Sequence, residues 1–152
     1  MTGYLAGFEP AMREALAQAR PAEEDVPVGA VVLDGSGQVI GRGRNRREAQ
    51  SDPTAHAEIV AIRAAGQARG SWRLDDCSLV VTLEPCTMCA GAVLAARLPR
   101  LVYGARDAKA GAAGSIWDLL HDPRLGEPVE VIAGILDEEC SVLLRDFFAR
   151  RR

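Results

Sequence analysis

Apolar side chains recur along the chain at helix-like spacing in some segments and at strand-like spacing in others. Residues 8–20 place Phe8, Met12 and Leu16 four residues apart and predict an amphipathic helix. Residues 28–33 form a short apolar run, residues 39–45 begin with the β-branched pair Val39 and Ile40, and the sequence between them contains the turn DGSG. Two strand-like runs joined by a glycine-rich turn predict a β-hairpin.

The remainder of the chain alternates predicted helices with predicted strands. Asp52 followed by Pro53 is a helix-start signal, so a helix is predicted from residue 53 to about residue 65. Pro85 is predicted to open another helix, which runs to about residue 97. Strands are also predicted at 78–83, 101–105 and 129–135, a short helix at 116–120 and a closing helix at 137–150. Together these elements predict a three-layer α/β/α fold, a mixed five-stranded sheet with helices on both faces.

Length and composition predict one globular domain over residues 1–152. The chain is 48% hydrophobic and 26% charged, which is ordinary for a folded domain. No apolar run approaches the roughly 18 residues that span a bilayer, and the first ten residues lack the basic and apolar regions of a signal peptide. We therefore expect a protein of the cytoplasm that is not bound to a membrane.

The charge is distributed unevenly along the chain. The 18 basic and 21 acidic side chains give a net charge of −3, which does not favour a binder of long nucleic-acid duplexes. Residues 40–73, however, contain seven basic and only three acidic side chains, and residues 150–152 are all arginine. Because arginine binds phosphate well, these two segments are candidate contacts for a nucleic acid, although high arginine usage can also reflect the base composition of a genome.

The cysteines point to metal chemistry. Without a predicted signal peptide, Cys77, Cys86, Cys89 and Cys140 are expected to be thiols or metal ligands and not disulfides. Cys86 and Cys89 lie three residues apart at a predicted helix start, so both sulfur atoms face the same side of that helix. His56 lies in the first turn of the helix predicted to begin at residue 53. If both helices begin at the carboxyl edge of the sheet, the three side chains can meet there.

The number of ligands distinguishes a catalytic from a structural zinc site. One histidine and two cysteines leave a coordination position open for water, as in catalytic sites, whereas a structural site has four protein ligands. Zinc lowers the pKa of a bound water, and Glu58 is placed to move the protons. The alternatives are a closed site with Cys77, Cys140 or His121 as fourth ligand, and a redox pair formed by Cys86 and Cys89.

Five sequence blocks resemble a known family. Residues 56–58 (HAE) and 85–89 (PCTMC) match the signature of zinc nucleobase deaminases. The wider blocks are VPVGA at 26–30, DPTAHAE at 52–58, VTLEPCTMCAGA at 81–92, GARDAK at 104–109 and GAAGS at 111–115. They resemble the bacterial tRNA-specific adenosine deaminases, which convert the wobble adenosine of an arginine tRNA anticodon to inosine. The resemblance extends over about residues 8–151.

The resemblance implies a cytidine deaminase-like fold and a role for individual residues. It implies that His56, Cys86 and Cys89 bind one Zn²⁺ per chain and that Glu58 transfers protons. It implies that the flipped base contacts Val28, Asn45 and the amide of Ala57. The tRNA anticodon stem-loop is expected to contact Asp107, Lys109, Phe148 and Arg150, whereas Phe147 continues an apolar stripe and is predicted to be core. The family is homodimeric, so a homodimer is expected.

One segment departs from the family pattern, and two other functions remain open. Gly126-Glu127-Pro128 stands where the family usually has Asn-His, which places a carboxylate at a position that could touch RNA. A deaminase of a free nucleobase or nucleoside, such as guanine, cytosine or cytidine, would share the zinc signature. A non-catalytic zinc module that binds RNA or protein would have four protein ligands.

Overall fold

The computed structural model describes residues 3–151. The helices are α1 (Gly3–Ala6), α2 (Glu9–Ala19), α3 (Arg47–Gln50), α4 (Ala57–Arg69), α5 (Thr87–Ala95) and α6 (Asp137–Ala149). The strands are β1 (Gly29–Leu33), β2 (Val39–Arg44), β3 (Ser78–Leu83), β4 (Arg100–Ala105) and β5 (Glu130–Ala133), with a 3₁₀ helix at Leu119–His121.

The five strands form one mixed sheet in the order β2-β1-β3-β4-β5. β1 pairs antiparallel with both β2 and β3, whereas β3, β4 and β5 run parallel to one another. The registers pair Ala30 with Val81 and Val81 with Tyr103. The carboxyl ends of β3 and β4 therefore lie together at one edge of the sheet, where sites of open α/β sheets are found.

Helices cover both faces of the sheet, which confirms the predicted three-layer architecture. One buried cluster joins α4 and α5 to alternate strand residues such as Ala30, Leu79 and Leu101. A second cluster joins α2 and α6 to the intervening residues, such as Val31 and Val80. Because successive strand side chains point to opposite faces, these nearly continuous apolar strands supply both cores.

The predicted start of α4 was wrong by four residues. The carboxylate of Asp52 accepts hydrogen bonds from the amide and hydroxyl of Thr54, at 2.9 and 2.8 Å, so it closes a local turn and does not cap a helix. The helix begins at Ala57 with His56 as its N-cap, and it continues past residue 65 to Arg69. Gly70 ends it in the left-handed conformation, with φ of 71°.

Several other predicted boundaries also shift. Helix α5 begins at Thr87 with Cys86 as N-cap and ends at Ala95, short of the predicted residue 97. The segment predicted as a helix at 116–120 contains a 3₁₀ helix only at Leu119–His121, because Gly114 and Trp117 instead close a tight loop through a backbone hydrogen bond. The last strand is limited to Glu130–Ala133, and Gly134 follows it with φ of 84°.

Two glycines allow the helices to lie unusually close to the sheet. A Cβ atom at Gly29 would lie 1.9 Å from the carbonyl oxygen of Ala15 in α2. A Cβ atom at Gly43 would lie 2.5 Å from the carbonyl oxygen of Ala57, the first residue of α4. The start of α4 is therefore held directly against β2. Within residues 3–151, none of the helices combines the length and apolar character that a membrane crossing requires.

Candidate active site

Two helices begin beside each other at the carboxyl edge of the sheet. His56 immediately precedes α4, and Cys86 immediately precedes α5, which follows β3 after a short connection. Both residues have extended backbone conformations, and neither side chain is used to cap its own helix. Their side chains are therefore available to the space between the two helix N-termini, where the helix dipoles favour negatively charged thiolates.

His56, Cys86 and Cys89 form a group that fits a zinc ion. Their ligand atoms all lie within 4.8 Å of one another. Nδ1 of His56 lies 3.6 Å from Sγ of Cys86 and 3.4 Å from Sγ of Cys89. Imidazole nitrogen and cysteine sulfur are the donors that zinc prefers, and three of them leave a coordination position for water.

The three residues considered as a fourth ligand lie elsewhere among residues 3–151. Cys77 is buried beside Asp76, with 3.4 Å between Sγ and Oδ1. Cys140 is buried in the core between the sheet and α6. The ring nitrogens of His121 are hydrogen-bonded to the side chain of Asp118 and the carbonyl of Val129. None of the three belongs to the group that could hold a metal.

The two cysteines of the group differ in acidity. A hydrogen bond from Cys89 lowers the pKa of the Cys86 thiol, and despite the opposing effect of burial this pKa falls to about 3. The hydrogen bond to Cys86 and burial raise the pKa of Cys89. Interaction with Cys86 also raises the pKa of His56. These interactions favour the thiolate of Cys86, the form of cysteine that binds metal.

Glu58 is a buried carboxyl beside this group. Only 4% of the residue is exposed, and burial raises the pKa of its carboxyl to about 7. Glu58 lies two residues after His56 in the first turn of α4, and its negative charge contributes to the raised pKa of Cys89. A carboxyl group that exchanges protons near neutrality has the acidity that general acid–base catalysis requires.

A cavity of about 170 Å³ opens between these side chains. The wall of this cavity contains seven of the site residues that were predicted from the sequence: Val28, Asn45, His56, Ala57, Glu58, Cys86 and Asp107. Five others were not predicted: Val26, Arg47, Leu83, Glu84 and Ala110. Of these, Arg47 belongs to the basic segment 40–73 and Glu84 directly precedes the PCTMC block. Neither sequence pattern indicated that these two residues would line the cavity.

Asn45 has a structural role as well as a place in the cavity wall. Its side-chain amide donates to the carbonyl of Val26 at 3.2 Å, and its side-chain oxygen accepts from the amide of Arg47 at 3.3 Å. These bonds connect the segment before β1 to the start of α3. The side chain is thereby held in one orientation at the cavity.

Asp107 lies in the cavity wall, and the other residues expected to contact RNA divide between two separate grooves. Lys109 and Phe148 line one groove of about 760 Å³, together with Leu144, Arg145, Ala149 and Arg151. Arg150 lines a different groove, near Arg20 and Pro27. Phe147 is only 5% exposed whereas Phe148 is 51% exposed, which confirms Phe147 as core. Arg151, which belongs to the arginine segment 150–152, lines both grooves, and its guanidinium lies 3.7 Å from the centroid of the Phe147 ring.

The unusual segment around Glu127 lies outside the cavity wall. Gly126, Glu127 and Pro128 are exposed and line a separate groove with Arg97 and Leu98. Gly126 has φ of 142°, a conformation that other residues rarely adopt. The change from the family pattern thus alters a surface turn and leaves the cavity wall as it is.

Comparison with known proteins identifies the family. Residues 8–105 match the family described as the cytidine and deoxycytidylate deaminase zinc-binding region. The chain is 49% identical to a tRNA-specific adenosine deaminase of Haemophilus influenzae, over 95% of this chain and 84% of that protein. It is 45% identical to a tRNA-specific adenosine deaminase of Bacillus subtilis, over 93% of this chain and 88% of that protein.

A solved structure is also similar to this chain. It comes from studies of A-to-I editing by tRNA:A34 deaminases at the wobble position of transfer RNA. It matches with a TM-score of 0.85 and 44% identity, over 89% of this chain and 99% of that one. The chain therefore belongs to the zinc-binding cytidine and deoxycytidylate deaminase family and, within it, to the tRNA-specific adenosine deaminases.

Proposed function

We propose that this protein hydrolyses adenosine to inosine and ammonia at the wobble position of a tRNA anticodon, and that its substrate is an arginine tRNA. The observation that supports this most strongly is the cavity that joins the His56, Cys86 and Cys89 group to the buried carboxyl of Glu58. The similarity to tRNA-specific adenosine deaminases over nearly the whole chain supports the choice of substrate.

In this proposal His56, Cys86 and Cys89 hold one zinc ion. Bound zinc lowers the pKa of a water molecule and so supplies the nucleophile for attack at C6 of adenine. The thiolate of Cys86 and the imidazole of His56 come from two helix N-termini that the sheet holds together. Because these backbone positions are set by the fold, the ligands are preorganised before the metal arrives.

Glu58 is the proposed proton carrier. Its carboxylate accepts a proton from the attacking water and delivers it to a ring nitrogen of the adenine. A second proton, from the hydroxyl added at C6, passes through the same carboxyl to the amino group, which leaves as ammonia while C6 keeps a carbonyl oxygen. Glu58 is the second residue of α4, so its side chain lies beside the ligand group and is buried from bulk solvent. This position allows the carboxyl to transfer protons within the cavity. Such proton transfer typically contributes about 10²–10⁴-fold to the rate.

The remaining wall residues are proposed to hold the flipped nucleotide and its neighbours. Val28, Asn45 and the amide of Ala57 are proposed to contact the adenine, and Asp107, which also lines the cavity, is proposed to contact the flanking nucleotides. Lys109, Phe148 and Arg150 bind the anticodon loop outside the cavity. An enzyme that holds one exposed loop needs only local cations and stacking surfaces, so a net charge of −3 does not oppose this function.

We also propose that the protein works as a homodimer in the cytoplasm. Helix α5 has the sequence TMCAGAVLA, which contains no charged residue. Thr87, Gly91 and Ala95 are exposed and four residues apart, so they form one small-residue face. A second copy that packs against this face would remove it from water.

The proposal is tested by assaying the zinc-loaded protein for deamination, measured as ammonia release and as the deaminated product of each substrate. The substrates are an arginine anticodon stem-loop with adenosine at the wobble position, the same stem-loop with that adenosine replaced by guanosine, and free adenosine, cytidine and guanine. We expect product only from the first. Turnover of a free base or nucleoside without stem-loop activity would assign the chemistry to another substrate. No turnover by protein shown to contain zinc would favour a non-catalytic zinc module.

A further inference from the structure

Glu84 is a buried carboxylate that accepts hydrogen bonds from an entire loop. Only 2% of the residue is exposed. Its two oxygen atoms accept from the backbone amides of Asp107 at 3.1 Å, Ala113 at 3.0 Å and Ser115 at 3.1 Å. The hydroxyl of Ser115 is a fourth donor. Every one of these donors lies in the segment that follows β4.

The backbone of this segment closes tightly around the carboxylate. The amide of Gly111 donates to the carbonyl of Asp107 at 3.0 Å, and the side chain of Asp107 accepts from the amides of Lys109 and Ala110 at 3.0 and 3.1 Å. A Cβ atom at Gly111 would lie 2.5 Å from Cδ of Glu84. Residue 111 must therefore be glycine for the segment to approach the carboxylate this closely.

Glu84 connects two parts of the cavity wall that are distant in the chain. It lies between β3 and Cys86, so it belongs to the same connection as the zinc ligands of α5. Glu84, Asp107 and Ala110 all line the cavity. A further bond, from the amide of Ala112 to the carbonyl of Pro85 at 2.8 Å, holds the segment against the start of α5. The side chain of Glu84 thus accepts four hydrogen bonds that join the segment after β4 to the connection that contains Cys86.

We propose that Glu84 is a positioning residue for tRNA: it holds the 107–115 segment where the nucleotides beside the target adenosine bind. This inference rests on the proposed function, because it concerns the substrate of that same cavity. Glu84 acts through Asp107 and Ala110 and takes no part in proton transfer or zinc binding. Loosening the segment should therefore weaken substrate binding more than it slows the chemical step.

The test compares two variants that release the segment by different means with one matched control. Glu84→Gln keeps the size of the side chain but replaces one acceptor oxygen with a donor that faces backbone amides. Gly111→Ala keeps the carboxylate and pushes the segment away sterically. Asp34→Asn is the control, because Asp34 also accepts from two amides and a hydroxyl, of Ser36 and Gln38, but closes the hairpin turn at the opposite edge of the sheet.

For each variant we would measure kcat and KM on the anticodon stem-loop, zinc content, and hydrogen exchange of the amides of Ala113 and Ser115. We expect Glu84→Gln and Gly111→Ala to raise KM at least tenfold, to change kcat less than threefold, and to retain one zinc per chain. The two amides should exchange at least tenfold faster. Asp34→Asn should change neither the kinetics nor these amides.

Three other results would overturn the inference, and they differ from a failure of the proposed function. Faster amide exchange with an unchanged KM would reduce Glu84 to a structural role. A loss of kcat or zinc at constant KM would place Glu84 in the catalytic centre. If Glu84→Gln does not fold, an unchanged KM in Gly111→Ala decides against the inference. An inactive wild-type protein would overturn the proposed function itself, and the inference with it.

Discussion

Nδ1 of His56 lies 3.4 Å from Sγ of Cys89, although 33 positions separate the two residues in the chain. The contact joins the N-cap of α4 to the first turn of α5. It exists because β1 and β3 are paired, which places the helices that follow β2 and β3 side by side on one face of the sheet. The close approach of these two atoms is what makes the group a candidate zinc site.

Removing one thiol of the group should remove the metal. We expect Cys86→Ala to lose zinc, because two protein ligands do not hold the ion as three do. Metal content by inductively coupled plasma mass spectrometry would show this directly. Cys140→Ala is the matched control, because it removes a buried cysteine from the other core and should keep one zinc per chain. Full occupancy in Cys86→Ala would show that a different set of residues binds the metal.

Removing the carboxyl of Glu58 should separate metal binding from turnover. We expect Glu58→Ala to retain zinc and to lower kcat by about 10²–10⁴-fold, since the loss affects only proton transfer. Single-turnover inosine formation from the stem-loop is the measurement. Glu127→Ala should keep the wild-type kcat, because Glu127 is exposed and lines a groove separate from the cavity. A Glu58→Ala protein with near-normal turnover would refute the proton-transfer role.

Phe148 should contribute to binding of the anticodon loop. Stacking of a base on an aromatic ring is worth about 1–3 kcal/mol, so Phe148→Ala should raise KM for the stem-loop about tenfold with little change in kcat. Trp72→Ala provides the comparison: Trp72 is also exposed, at 61%, but it stacks against Arg73 and Arg97. An equal effect of the two substitutions would mean that the groove beside Lys109 has no special role.

Because β2 packs closely against α4, we expect replacement of Gly43 by a larger residue to lower the free energy of unfolding. A methyl group there would meet backbone atoms of Ala57 and Ala61 at 2.5 and 2.6 Å, and such overpacking costs about 1–3 kcal/mol. Urea unfolding of Gly43→Ala should show this loss of stability. In Gly66→Ala the nearest atom to the added Cβ is 3.4 Å away, so the helix-forming preference of alanine should leave stability unchanged or about 1 kcal/mol higher. Equal stability of the two variants would contradict the packing argument.

The exposed face of α5 predicts how a dimer could be broken. Gly91 has open space around it in the single chain, so Gly91→Arg should fold normally. If a second copy packs there, the arginine should prevent association, and sedimentation velocity should show a monomer where the wild type is a dimer. Ala17→Arg, at an exposed small residue of α2, should leave the dimer intact. A Gly91→Arg protein that remains dimeric would locate the interface elsewhere.

Local sequence rules predicted the element types well and their ends less well. The apolar runs at 78–83 and 101–105 coincide with β3 and nearly with β4, because buried parallel strands are recognisable from composition alone. The start of α4 was misplaced because Asp52 can cap either a helix or a turn, and only its bonds to Thr54 distinguish the two. The four-residue helix α3 has no periodicity of its own and depends on Asp25, whose buried carboxylate accepts from the amides of Glu48 and Ala49.

The sequence by itself determined the chemistry that is available: a histidine, two cysteines three residues apart, a carboxyl beside them, and the alternation of strands and helices that predicts the layers. Only the tertiary structure decided which thiols meet His56, which carboxyl is buried beside them, and that Glu84 and Arg47 belong to the cavity wall. The physical reason is the range of the interactions. Periodicity and helix capping act between residues a few positions apart, whereas the cavity is formed where strand pairing and helix packing bring distant segments into contact.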